Sequence, residues 1–361
     1  MNRFVVKLLY ILLAILFFGI MVAIHEFGHF FTAKLLRVKV NEFSIGMGPA
    51  IWSRTKGETQ YSFRAFPVGG YCAMEGEDEK TGDPRAFSIQ SWWKKLIILA
   101  AGSFMNFLLG LLLITILYAG TTQVRVPVIT EFADGFTQQG ENGLMVGDRI
   151  LSVDGHAILM YNDVITYFSR NDGQGMDLVV ERGGEKVVLK DLPMERFEYE
   201  YEGGTTTGFG LIFGQVDTLN ACGRLKLAVL QTLDFVRVVW QGLIDLVTGQ
   251  VSIRSMSGVI GIVDAVGSVG AASETVLDGI FNVLYFVAFI SVNLAVMNML
   301  PIPALDGGRI FFVLINAVVY LFSRKNIQAK YEGYVHTAGF LLLIVLMIAV
   351  AFNDVWKIIF A

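Results

Sequence analysis

The sequence predicts an α-helical membrane protein with four transmembrane helices, one small β-rich domain outside the cytoplasm and a membrane-associated β-hairpin on the cytoplasmic side. The chain is 54% hydrophobic with a mean hydropathy of +0.58, which is too apolar for an ordinary soluble domain. Four stretches approach or exceed the roughly 20 apolar residues that span a bilayer. Between residues 126 and 213 the pattern changes to short alternating segments and turns, which is typical of a small β-rich domain.

The four predicted spans cover residues 5–36, 96–119, 279–300 and 331–352. A fifth apolar run, residues 310–322, is short for a span, and we expect it to lie at the interface or to extend the third helix. Residues 4–24 resemble the apolar part of a signal peptide, but no small-residue cleavage site follows them. The first helix is therefore expected to be retained.

The positions of the basic residues predict the orientation. Lys and Arg concentrate between the first and second helices and between the third and fourth, so both connections are expected in the cytoplasm. The two termini and the β-rich domain then lie on the extracytoplasmic side. The net charge is −4 and no block of basic residues is present, so nucleic acid is not an expected partner.

The β-rich segment carries a recognisable signature. Residues 143–155 read GLMVGDRILSVDG, which resembles the PDZ pattern GLxxGDxIxxVxG. PDZ domains bind an extended peptide at a sheet edge, so a peptide or protein ligand of this domain is possible. The alternative is a generic β domain with a Gly-Asp turn. The predicted organisation is a membrane core at 1–119, a PDZ domain at 120–215, a connecting region at 216–278 and a second membrane part at 279–361.

Two further segments have regular patterns. Residues 224–248 form an amphipathic helical stretch that we expect on the outer membrane surface. Residues 40–47 and 60–66 alternate in part like strands, punctuated by glycines that include Gly46, Gly69 and Gly70. They predict a hairpin that presents an edge to an extended substrate, with these three glycines as candidate substrate-binding positions. The alternative is a plain connecting loop.

The first helix contains the motif His25-Glu-Phe-Gly-His29. Positions i and i+4 share one helix face, so His25 and His29 can offer two imidazole nitrogens to one metal ion, with Glu26 beside them. Ionisable groups inside a membrane are costly and usually functional. The alternative is a helix that carries two histidines at this spacing by chance.

A catalytic zinc site needs a third protein ligand, and Asp306 is the candidate. It follows the third helix at its predicted cytoplasmic end, at a depth similar to that of HEFGH. The alternative is a turn residue, since Asp-Gly-Gly favours turns. His156 sits within the PDZ-like segment and His336 has no motif around it, so each is expected to be an ordinary surface or interface histidine. Asn298 is a candidate for holding the substrate backbone, or else a polar contact between helices.

These residue types predict metal-assisted amide hydrolysis. Bound zinc lowers the pKa of its water toward about 7, and Glu26 can act as the base. A noncatalytic peptide-binding scaffold is the main alternative, although a structural zinc site has no need of an adjacent base. A transporter fits poorly, because no paired repeats are seen. Gly102 and Asn106 on the second helix either adjoin the site or serve plain packing.

These motifs together resemble the bacterial site-2 protease family, specifically its RseP-type regulated intramembrane proteases. The resemblance rests on HEFGH, on residues 298–308 read as NxxPxPxLDGG, on Gly102-x-x-x-Asn106 and on the single PDZ-like segment. It implies an intramembrane zinc metalloprotease of the bacterial inner membrane with the ligands and base named above. It also implies that single-span membrane proteins, such as anti-sigma factors or signal-peptide remnants, are its substrates within the lipid bilayer.

Overall fold

The computed structural model describes residues 3–77, 81–171, 175–201, 204–251, 258–324 and 329–360. The chain forms two compact units. One comprises the described residues up to Leu117 together with those from Thr232 onward, and the other comprises residues 118–231. The domain boundaries expected from the sequence stay predictions, and residues 252–257 of the expected connecting region lie outside the described residues.

Six helices among the described residues are long and apolar enough to cross a membrane. The predicted count of four transmembrane helices is therefore not confirmed, although the class of helical membrane protein is. The helices of the chain are α1 (Arg3–Leu35), α2 (Trp92–Leu117), α3 (Tyr161–Arg170), α4 (Ala221–Val247), α5 (Val259–Ala272), α6 (Val276–Asn298), α7 (Asp306–Ser323) and α8 (Ala329–Phe360). Of these, α3 and α5 are not among the six.

The two additional candidates are α4 and α7. The apolar run at 310–322 does not extend α6, because α6 ends at Asn298 and a separate helix of 18 residues starts at Asp306. The first turn of this helix contains two glycines and an arginine. Because these residues are not apolar, the hydropathy pattern placed the start of the segment at residue 310. The helix α4 was expected on the membrane surface because charged residues interrupt its apolar face, yet its length and mean hydropathy of 1.3 also suit a crossing.

Small residues bring the helices around α1 close together. A Cβ atom added at Gly28 would lie 2.4 Å from the carbonyl oxygen of Ala101 on α2, and one at Gly110 would lie 2.5 Å from Cγ2 of Val292 on α6. Helix interfaces in membranes depend on such close approach, because lipid supplies no hydrophobic drive for association. This packing sets the distance between α1 and α2 at the level of HEFGH.

The connection between α1 and α2 forms an antiparallel pair of long strands, β1 (Val40–Lys56) and β2 (Thr59–Met74). The strands fold back on themselves, so that each of residues 42–45 has one partner within 60–63 and a second within 70–73. Residues 42–45 therefore lie in the middle of the sheet, and 70–74 form one of its edges. The exposed side chains on this sheet include large apolar ones: Met47, Ile51, Trp52, Phe63 and Phe66.

The last helix, α8, packs sparsely, with only 6% of its apolar window buried. One of its contacts is polar and fully buried: Asp354 is 1% exposed, and its carboxylate accepts hydrogen bonds from the backbone N–H groups of Gly258 and Gly261 at 2.9 Å. These N–H groups belong to the start of α5, where no preceding turn can accept them. The carboxylate thus caps α5 from another helix.

The second unit is built from short strands and α3 around one apolar core. Its largest sheet has four strands in the order β6-β5-β7-β8. Buried core residues come from both strands and loops, among them Leu144, Ile150 and Leu178. The strands are β3 (Gln123–Arg125), β4 (Glu131–Phe132), β5 (Arg149–Val153), β6 (His156–Ala157), β7 (Gly175–Arg182), β8 (Glu185–Pro193), β9 (Phe197–Tyr201), β10 (Gly204–Gly208), β11 (Leu211–Ile212) and β12 (Val216–Thr218).

The Gly-Asp turn of the PDZ-like signature is held by one ion pair. Asp148 is fully buried, and both of its carboxylate oxygens accept hydrogen bonds from the guanidinium of Arg182, at 2.8 and 2.7 Å. The hydrogen bond to this carboxylate raises the pKa of Arg182, which keeps the guanidinium charged. Arg182 also donates to the carbonyl of Gly143 at 2.6 Å. The pair explains why the signature has Asp at this position, while the PDZ assignment itself stays a prediction.

Replacing Arg182 with Ala is expected to lower the free energy of opening of this unit by about 3 kcal/mol, because a buried carboxylate is left without its partner. Hydrogen exchange of the Ile150 and Leu178 amides in the purified protein measures this energy. Lys186→Ala, an exposed change on β8, is the control and is expected to leave exchange within about 0.5 kcal/mol of the unaltered protein. Equal protection in both variants would show that the pair does not stabilise the unit.

Candidate metal centre

His25 and His29 lie one turn apart on the face of α1 that packs against α2. Both residues are buried, at 9% and 6% exposure, and their Nε2 atoms are 3.2 Å apart. The rings meet edge to face, with centroids 4.8 Å apart. The i, i+4 spacing of the motif accounts for this convergence, because side chains four residues apart stack on one helix face.

A backbone carbonyl fixes the tautomer of His29. The carbonyl oxygen of Ile98 on α2 lies 2.8 Å from Nδ1 of His29. A carbonyl can only accept, so Nδ1 carries a proton, and in the neutral imidazole Nε2 keeps a lone pair that points toward His25. This is the arrangement of a metal-binding histidine, whose second nitrogen donates to an oxygen outside the metal's own ligands.

Asn106 plays the corresponding part for His25. Its side-chain amide lies 3.4 Å from Nδ1 of His25, and its Oδ1 atom is buried with no hydrogen-bond partner among the described residues. Exchanging the two amide atoms lets Oδ1 accept a hydrogen bond from a protonated Nδ1 of His25. The backbone carbonyl of Asn106 also accepts from the hydroxyl of Ser291 at 2.8 Å, which ties α2 to α6 here.

Asp306 is the first residue of α7, and the structure brings it to the two histidines. Its Oδ2 atom lies 3.1 Å from Nε2 of His25 and 3.3 Å from Nε2 of His29. The glycines that follow make this approach possible. A Cβ at Gly307 would lie 2.2 Å from the carbonyl oxygen of Leu300, and one at Gly308 would lie 2.3 Å from that of Ile302.

The positions of His25 Nε2, His29 Nε2 and Asp306 Oδ2 are better suited to binding one metal ion than to hydrogen bonding among themselves. In the neutral imidazoles with Nδ1 protonated, the two Nε2 atoms and the Asp306 carboxylate are three acceptors that face each other without a proton between them. A tetrahedral zinc ion with ligands at about 2.0–2.1 Å holds neighbouring ligand atoms about 3.3 Å apart. The observed separations of 3.1, 3.2 and 3.3 Å match that spacing. Two imidazoles and a carboxylate suit zinc, and three protein ligands leave a fourth position open.

A polar cavity of about 430 Å³ opens beside the three side chains. Glu26, half-buried, lines it together with His25 and His29. Part of its wall is the edge strand of the sheet and the turn that follows that strand. The wall residues from this segment are Tyr71, Cys72, Ala73, Met74, Glu75, Gly76 and Glu77.

The sequence interpretation missed one ion pair at the mouth of this cavity. The guanidinium of Arg309, on the first turn of α7, contacts the carboxylate of Glu77. Glu77 also accepts a hydrogen bond from the backbone N–H of Met74 at 3.2 Å. The pair thus joins the edge strand to the helix that carries Asp306. A basic residue in the first turn of a helix opposes the helix dipole, and this anomaly is the signal that would have marked Arg309.

The predicted substrate-binding residues have different positions. Gly70 is buried, and a Cβ there would lie 3.2 Å from Cγ of Glu26, so it adjoins the cavity. Gly46 and Gly69 have φ of +85° and +86° within the folded-back sheet, where they form bends away from the cavity wall. Asn298 ends α6, is partly buried and does not line the cavity. The structure therefore brings only Gly70 to the site.

Gly102 on α2 is expected to be required for metal binding, because an added Cβ would lie 2.3 Å from Nε2 of His29 and 2.7 Å from Cε1 of His25. Gly102→Ala should weaken zinc affinity about 10- to 100-fold, measured by chelator competition on the purified protein. Gly242→Ala on α4, where nothing lies within 4 Å of the added atom, is the matched control and should bind zinc normally. Unchanged affinity in Gly102→Ala would contradict this geometry.

Comparison with known proteins agrees with the resemblance drawn from the motifs. A family model described as Peptidase family M50 matches residues 13–346. A Clostridium acetobutylicum protein, named as a zinc metalloprotease, is 35% identical over 348 residues, which cover 96% of this chain and 97% of that one. The zinc metalloprotease RasP of Oceanobacillus iheyensis is 30% identical, with 95% and 98% covered.

The regulator of sigma-W protease RasP of Bacillus subtilis is 27% identical, with 95% of this chain and 97% of that protein covered. The family match extends across both HEFGH and Asp306 and across most of the predicted membrane spans. The resemblance to site-2 proteases is thereby confirmed. The chain belongs to peptidase family M50, the site-2 protease family of zinc-dependent metalloproteases.

Proposed function

We propose that this protein hydrolyses peptide bonds within the transmembrane segments of single-span membrane proteins, in regulated intramembrane proteolysis. The observation that carries the proposal is the convergence of two imidazoles and a carboxylate on helices apolar enough to span a membrane. His25, His29 and Asp306 are the proposed zinc ligands. Bound zinc supplies Lewis acidity, which polarises a carbonyl and makes water more acidic.

Glu26 is the proposed general base. Its carboxylate lines the cavity beside the two histidines, where it can accept a proton from the attacking water. The same group can then donate that proton to the amine nitrogen that leaves when the C–N bond breaks. A noncatalytic scaffold would have no use for a carboxylate here, so the position of Glu26 favours hydrolysis.

The edge strand supports an extended binding mode for the substrate. A helical segment has its backbone groups paired, so it must unwind before a peptide bond is accessible. Within the described residues, the register gives 70–74 one partner segment, and its other side faces the cavity. An unwound substrate can pair there through its backbone, with Gly70 allowing close approach beside Glu26. Gly46 and Gly69 would then act indirectly, by shaping the sheet, while Asn298 has less support.

The substrate class and the location are also proposals. The Bacillus subtilis relative is named a regulator of sigma-W, which favours a membrane-bound anti-sigma factor as substrate, with signal-peptide remnants as a further type. We place the protein in the bacterial inner membrane, with the PDZ domain and both termini outside the cytoplasm. Four crossings and six crossings both put the two termini on the same side. A peptide or protein ligand of the PDZ domain belongs to the same proposal.

Glu26→Gln is expected to reduce cleavage of single-span segments about 10²- to 10⁴-fold while leaving the zinc content unchanged, because the ligands remain but the base is lost. Cleavage is followed by mass spectrometry on a panel of segments in detergent or vesicles. Glu195→Gln, at an exposed position of the β-rich unit, should cut normally. Equal cleavage by Glu26→Gln and the unaltered protein would remove Glu26 from the mechanism.

Strand addition predicts a periodic sensitivity to backbone methylation in the substrate. Paired strands use alternate amides, so N-methyl groups on alternate residues should block cleavage in one register and have little effect in the other. The methyl groups are placed three to five residues from the cleaved bond, in two synthetic segments that differ only in register. A segment methylated outside its apolar stretch is the control. Equal cleavage in both registers would rule out strand pairing.

A further inference from the structure

The loop between α6 and α7 is held in an unusual backbone conformation. Ala304, two residues before Asp306, has φ of +76°, in the left-handed region that side chains other than Gly rarely adopt. Residues in this region persist only where surrounding contacts hold them. The position of Asp306 depends on this turn, because α7 begins directly after it.

The contacts that hold the turn come from α8. Nδ1 of His336 accepts a hydrogen bond from the backbone N–H of Ala304 at 3.0 Å. One turn further along α8, Gly339 lies against Pro303, where an added Cβ would be 2.3 Å from Cβ of Pro303 and 3.0 Å from its carbonyl oxygen. The His336 ring also packs on Phe312 of α7, with ring centroids 5.4 Å apart.

Packing alone does not explain a histidine at this place. The apolar window of α8 is only 6% buried, so an apolar side chain would serve the helix equally well in lipid. A hydrogen-bond acceptor does what an apolar side chain cannot, since it satisfies the backbone N–H of Ala304. His336 thereby contacts both the turn that precedes Asp306 and the helix that follows it.

We propose that His336 is a positioning residue, which holds the turn at residues 301–304 in the conformation that presents Asp306 to His25 and His29. The proposal rests on the proposed role of Asp306 as a zinc ligand. Without the acceptor, the turn is free to relax toward ordinary backbone angles and the carboxylate moves from the two nitrogens. The consequence is weaker zinc binding in a protein that is otherwise folded.

Two substitutions separate this role from packing. His336→Phe keeps a ring against Phe312 but removes the acceptor, whereas His336→Asn keeps an acceptor near the position of Nδ1. Zinc affinity is measured on the metal-free full chain in detergent by competition with a chelator, and thermal unfolding is measured on the same metal-free samples. We expect His336→Phe to bind zinc about 10- to 100-fold more weakly than the unaltered protein. His336→Asn is expected to bind zinc within about threefold of the unaltered protein. The two variants and the unaltered protein are expected to unfold at the same temperature.

A second pair of variants tests the turn without touching the histidine. Gly339→Ala forces a methyl group onto Pro303, whereas Gly333→Ala on the same helix meets nothing within 4 Å. Gly339→Ala should lose zinc affinity as His336→Phe does, and Gly333→Ala should not. If His336→Phe fails to fold, the two glycine variants test whether contacts from α8 hold the turn.

The outcomes distinguish this inference from the function on which it rests. Normal zinc affinity in His336→Phe, or in Gly339→Ala if that histidine variant does not fold, overturns the positioning role and leaves the metal site intact. Failure of His336→Asn to restore binding overturns the role of the acceptor. If Asp306→Asn binds zinc as tightly as the unaltered protein, the ligand assignment fails, and the proposed function fails with it.

Discussion

The mutual proximity of three buried acceptor atoms is the constraint on which the rest of the membrane unit depends. Nε2 of His25, Nε2 of His29 and Oδ2 of Asp306 lie 3.1 to 3.3 Å from one another. Buried acceptors that face one another are costly unless a cation compensates them. The features around the cluster each serve to hold it. Gly28 and Gly102 let α2 approach α1, the carbonyl of Ile98 fixes one tautomer, and Gly307 with Gly308 lets α7 begin beside both histidines.

Under the proposed function, the same unit must also admit a peptide and water to the site. The proposed place for the peptide is the edge of the folded-back sheet, because residues 42–45 have partners on both sides, 70–74 have one partner segment, and 71–74 line the cavity. The Glu77–Arg309 pair joins this edge to α7. An ion pair therefore links the edge strand to α7, the helix that carries Asp306. The cavity between them has polar walls that can hold water.

Much of the site could be predicted from the sequence because its chemistry is encoded in residue types at helical spacing. HEFGH predicts two metal ligands on one face of α1, and the Asp-Gly-Gly element predicts a third ligand, a carboxylate oxygen, near them. The structure brings these side chains together. The helix count was less predictable. The helix α4 carries charges that suggest a surface position, and the first turn of α7 contains Gly307 and Gly308, which hydropathy counts as a break. A hairpin edge was predicted, but the strand-like alternation ends at residue 66 and Gly69 and Gly70 read as punctuation, so the prediction did not include the edge segment at 70–74. The Ile98 carbonyl has no sequence signature at all.

The metal centre unites residues from opposite ends of the chain, since His25 and His29 lie near one terminus of the sequence and Asp306 near the other. Nearly the entire polypeptide must be synthesised and inserted before the carboxylate can reach the imidazoles. A nascent chain that ends before Asp306 therefore holds two histidines without the proposed third ligand. The order of translation thus delays formation of the proposed three-ligand site until α7 has been synthesised.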